Sequence, residues 1–147
     1  SHSQAYLSSW LSHIQMKVVR LPQQGDCLPT MLVLHQEGSS SSEASNDMRD
    51  RLNQTIQDGF AQQATWLEDY AETEYFESLD AGRMCNRIHL LAFCILYDVP
   101  MIICNYAMRA EDSVEPFVTC LNDHGRNQGP VVVVIFDGKE HYNAATA

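Results

Sequence analysis

The chain has 147 residues, 45% of them apolar and 19% charged. That fits one folded domain over 1–147 and excludes a wholly disordered chain. Nineteen Asp and Glu against nine Lys and Arg give a net charge of -10. This excess repels phosphate backbones and anionic lipid, so no nucleic acid and no membrane is expected as a partner, and a basic partner is favoured.

Ser1-His2-Ser3 reads as an expression remnant, and no signal peptide opens the sequence. Tyr6, Leu7, Trp10, Leu11 and Ile14 recur at helical spacing and predict an amphipathic helix. Met16 to Leu21 predicts a short strand, and Pro22 to Asp26 a turn rich in breakers. Cys27 then opens a segment that is apolar nearly all round. Pro29 suits a first helical turn, where its missing N–H costs little, so Cys27 is expected at the N-terminus of a buried helix. Gly38 to Ser42 is a low-complexity loop, and Asn46 or Asp47 is expected to cap a helix running towards Gln63.

From Trp66 to Asp80 the sequence holds six acids and no base: Glu68, Asp69, Glu72, Glu74, Glu77 and Asp80. Such a run is ordinarily a solvated helical face. Arg83 to Tyr97 predicts a buried helix ended by Asp98-Val99-Pro100. Met101 to Cys104 and Phe117 to Leu121 predict strands, and Asp123 to Gly129 a polar turn. Val131 to Phe136 is the strongest strand signal. Asp137-Gly138 predicts a hairpin turn, which puts His141-Tyr142-Asn143 on the returning strand. Helices first and a hairpin-rich sheet last make the class α+β.

Five cysteines, an odd number with no Cys-x-x-Cys, make neither a disulfide framework nor a zinc site, and point to a reduced intracellular protein. Cys27 stands out, because a thiol at a helix N-terminus meets unpaired N–H groups and the positive dipole end, which favour the thiolate. Gly25 lets the backbone bend so that amides converge on an oxyanion. His141 and Asn143, two apart on a strand, share a face, so Asn143 can accept a ring N–H and orient the imidazole.

Gly25-Asp26-Cys27-Leu28 early and His141-Tyr142-Asn143 late resemble the ovarian tumour (OTU) cysteine proteases, whose pattern is Asp-Gly-Asn-Cys-Leu-Phe followed by His-Tyr-Asn or His-Tyr-Asp. Ile88 to Cys94 and Tyr97-Asp98-Val99-Pro100-Met101 resemble the family's helix leading into a strand, and the resemblance spans about residues 18 to 145. It implies a papain-type α+β domain, with a small, mostly antiparallel sheet flanked by helices. It also implies a deubiquitinase with Cys27 as nucleophile, His141 as general base, Asn143 as the orienting member and backbone amides at Gly25 and Asp26 as the oxyanion hole. Neither a cofactor nor a metal is called for.

The implied partners are ubiquitin or polyubiquitin chains, met by a cytoplasmic monomer, or by an effector in host cytoplasm if the source is viral or bacterial. The acidic run becomes a candidate docking surface for the arginines of the ubiquitin tail. The sequence departs from the pattern at Gln24, Pro29, Met84-Cys85 and His89, as in a divergent member. Alternatives are a catalytically impaired ubiquitin-binding module, or a protease acting on another modifier or a polyprotein.

Overall fold

The computed structural model describes residues 17–19, 27–82, 84–105, 118–122, 131–136 and 141–146. The expected helix over 6–14, the turns at 22–26 and 123–129, and the Asp137-Gly138 turn lie outside them. Among the described residues, four α-helices and one 3-10 turn accompany a five-stranded sheet. The helices are α1 (Cys27–Glu37), α2 (Ser42–Ala61), α3 (Glu72–Asp80) and α4 (Arg87–Tyr97). The strands are β1 (Lys17–Val19), β2 (Met101–Asn105), β3 (Val118–Leu121), β4 (Val132–Phe136) and β5 (Tyr142–Thr146).

The sheet order is β1-β5-β4-β2-β3. Three pairings are antiparallel, while β2 and β4 run parallel, with Met101 opposite Val132 and Cys104 opposite Ile135. The class is therefore α+β with a mixed, mostly antiparallel sheet. β4 lies inside the sheet, and its run Val132-Val133-Val134-Ile135 is buried on both faces, as a central β-branched strand should be.

Three helix boundaries differ from expectation, two of them for a capping reason. α2 starts at Ser42, not after Asn46 or Asp47, because Ser41 in extended backbone accepts the Ala44 N–H at 3.1 Å. α4 starts at Arg87, not Arg83, because Asn86 and His89 form a reciprocal capping box. The acidic run is not one helix: the 3-10 turn Thr65–Leu67 precedes α3, which opens at Glu72. Ala71 offers α3 no side-chain cap, and Glu72 and Glu74 in its first turn complement the helix dipole instead.

The core lies between the helices and the sheet. Met31, Leu32, Leu52, Ile56, Leu90, Phe93, Met101 and Ile103 are fully buried there. α1 packs on both α2 and β5, and α2 packs on α4. No helix of the described residues is long and apolar enough to cross a membrane.

Candidate active site

Cys27 is the first residue of α1 and is 5% exposed. Pro29 sits in the first turn, where the N–H it lacks would have no intrahelical acceptor. The helix behind is held firmly: Leu28, Met31, Leu32 and Val33 are buried, and the Thr30 and Ser45 hydroxyls share a 2.9 Å hydrogen bond that ties α1 to α2. Gln24, Gly25 and Asp26, the expected oxyanion loop, lie outside the described residues.

His141 directly precedes β5, and Asn143 is its second residue. The two side chains meet, with His141 Nε2 and Asn143 Oδ1 at 2.9 Å. An amide oxygen only accepts, so Nε2 carries the hydrogen and Nδ1 keeps the basic lone pair. Asn143 is 7% exposed, and such a shielded bond fixes the ring plane. The intervening Tyr142 pairs with Phe136 across the β4–β5 ladder and stacks on it at 4.6 Å between ring centroids. β5 is also the strand against which α1, the helix opened by Cys27, is packed.

The N-terminus of α4 borders a cavity of about 1030 Å³ walled by α2, α3 and α4. His89 organises its floor. The Asn86 N–H donates to His89 Nδ1 at 3.1 Å, so Nε2 carries the ring hydrogen and gives it to Asn53 Oδ1 at 2.9 Å. The Tyr75 hydroxyl donates to the same oxygen at 2.8 Å. Burial, reinforced by the charge of Arg49, lowers the His89 pKa to about 4, which keeps the ring neutral.

Cys85 lines this cavity, and burial pushes its thiol pKa up. Arg49 opposes that shift by charge and hydrogen bond, whereas the nearby Cys27 adds to it. Cys94 and Cys104 are pushed up to about 12 by burial and are inert as nucleophiles near neutrality. No disulfide links the five cysteines. Among the described residues, no group of His, Cys, Asp or Glu is arranged to hold a metal ion.

Sequence reasoning brought Cys85 and His89 forward only as departures from a pattern, and it missed Arg49 altogether. An arginine in the middle of a polar helix carries no local signal of the cavity it faces.

No protein-family model matches the sequence, and no curated protein matches it. Solved structures do. The OTUD1 OTU domain superposes with a TM-score of 0.75 at 15% identity, covering 99% of this chain and 95% of that one. The viral OTU domain protease from Taggert virus gives 0.63 at 12% identity, covering 89% and 79%. The Hazara virus OTU bound to ubiquitin gives 0.61 at 15% identity, covering 89% and 80%.

The fold is that of OTU domains. At such identities the shared architecture comes from backbone and burial pattern rather than from matched side chains. The chain is a divergent version of the OTU fold.

Proposed function

We propose that this protein is a deubiquitinating cysteine peptidase, which hydrolyses isopeptide or peptide bonds after the C-terminal glycine of ubiquitin. The observation that carries the reading is the His141–Asn143 hydrogen bond at 2.9 Å at the start of β5, the strand on which the Cys27 helix packs within an OTU fold.

The chemistry follows from the tautomer. Nδ1 of His141 takes the Cys27 proton, and the thiolate attacks the scissile carbonyl. The oxyanion is received by backbone N–H groups at Gly25, Asp26 and Cys27 itself. The imidazolium, steadied through Nε2–H by Asn143, then protonates the leaving amine. Water, deprotonated by the same Nδ1, cleaves the thioester and restores the thiol. The proposed catalytic unit is a single chain.

The test is labelling with ubiquitin-propargylamide. A covalent adduct should form on the wild type and be lost in Cys27→Ala. Absence of the adduct on the wild type, or its persistence in the variant, overturns the assignment. Gln24 stands where OTU enzymes carry an Asp, and this favours one second reading: a ubiquitin-binding module of impaired activity. That reading predicts ubiquitin binding with no adduct and no cleavage of any diubiquitin linkage.

A further inference from the structure

The cavity between α2, α3 and α4 contains an electrostatic mismatch. In a chain of net charge -10, two of the nine basic residues line this cavity, Arg49 from α2 and Arg87 from α4. Arg87 Nε is buried and has no hydrogen-bond acceptor. Glu74 also lines the cavity, yet it forms no ion pair with either arginine, and no other carboxylate among the described residues does so. Arg49 donates only a long 3.3 Å bond to Asn46 Oδ1 and a weak one to the Cys85 thiol. A partly buried guanidinium without an anionic partner is costly, since it has lost water without gaining a counter-charge.

We propose that this cavity is a binding site for an acidic peptide segment, which places a carboxylate side chain between Arg87 and Arg49 and an apolar neighbour against Leu79 and Met84. The guanidinium fork matches a planar carboxylate, and Arg87 Nε–H is the donor waiting for one of its oxygens. The first turn of α4 opens on the same space and adds its positive dipole end. The apolar lining fixes the rest of the ligand. Leu79 and Met84 are more than a third exposed, and the Tyr70 and Tyr75 rings stand beside them. A volume of about 1030 Å³ far exceeds that of a lone inorganic anion and suits several residues of extended peptide. The site adjoins Cys27 through Cys85, so it is tested on the Cys27→Ala chain, in which no acyl-enzyme can form.

The experiment is an NMR titration that follows the arginine Nε–H resonances. The probes are acetyl-Leu-Glu-Leu-amide, its glutamine counterpart and inorganic phosphate. The glutamate peptide should shift the Arg87 Nε–H saturably, and the glutamine peptide should bind at least tenfold more weakly. Arg87→Gln and Arg49→Gln should each weaken the glutamate peptide about tenfold, as loss of one charge-assisted bond implies, with unchanged circular dichroism. Three outcomes overturn the proposal: no shift, equal binding of both peptides, or phosphate binding as tightly as the peptide. The peptide comparison alters no protein residue, so it stands even if an arginine variant folds poorly.

Discussion

Asn143 holds the Nε2 hydrogen of His141 and supplies no proton of its own, so removing it disturbs an orientation rather than a base. On the proposed function, Asn143→Ala should lower kcat about 10-fold to 100-fold and leave ubiquitin affinity nearly unchanged, whereas His141→Ala should lower turnover by orders of magnitude. Diubiquitin cleavage kinetics distinguish the two, and equal losses would count against the assigned roles. His89 gives a second prediction at this scale. Its folded pKa lies near 4, below the usual 6.5, because of burial and then Arg49. Between those values the unfolded chain takes up a proton that the folded chain refuses. Stability therefore falls as pH drops from about 6.5 towards 4, by about 3 kcal/mol for this group. Below about pH 4 the contribution stays lost. His35, also lowered by burial, acts in the same direction. Urea midpoints for wild type and His89→Gln between pH 7 and pH 4 isolate the His89 share, and parallel curves would refute it.

Local sequence and packing separate most clearly along α2 and its exit. Gly59 lies inside the helix, where glycine ordinarily costs about 0.5–1 kcal/mol relative to alanine. Here a Cβ would stand 2.7 Å from Leu67 Cδ1 and 2.8 Å from Trp66 Cζ2. The glycine lets the 3-10 turn lie directly on the helix. Gly59→Ala should therefore destabilise by about 1 kcal/mol, since the overpacking cost outweighs the gain in propensity. Gln63 shows the opposite case. It follows the α2 C-cap with φ 52°, a left-handed position where glycine pays no Cβ penalty. Gln63→Gly should stabilise by about 0.5–1 kcal/mol. Chemical denaturation reads both signs, and a stabilising Gly59→Ala would show that the 3-10 turn is free to shift. Propensity alone predicts neither sign: the first depends on what a Cβ at Gly59 would meet, the second on the left-handed φ of Gln63.

Over the whole molecule the charge acts at two ranges. The net -10 sets a long-range field that draws in basic surfaces, and the acids at Glu68, Asp69, Glu72, Glu74, Glu77 and Asp80 concentrate it beside α3. If the partner is ubiquitin, its association rate should fall steeply between about 50 and 500 mM salt while dissociation changes little, because screening acts beyond about 10 Å. Stopped-flow mixing at several salt concentrations measures this, and a salt-independent rate would remove the docking role of the acids. The unpaired arginines act only at contact, inside the cavity, and the long-range field does not report them.

Sequence alone was enough for the α+β class, the helix opened by Cys27, the central β-branched strand and the shared face of His141 and Asn143. Each rests on a local rule: helical spacing, the tolerance of proline in a first turn, strand periodicity. Tertiary structure decided the parallel β2–β4 pairing, the break in the acidic run, the capping box of Asn86 and His89, and the meeting of Arg49 and Arg87 in one cavity. The strand pairing and the cavity are set by contacts between residues far apart in the chain, and the His89 of the local capping box is itself held by Asn53, 36 residues away, so burial and not the neighbouring residues alone determines which polar groups find partners and which are left waiting for one.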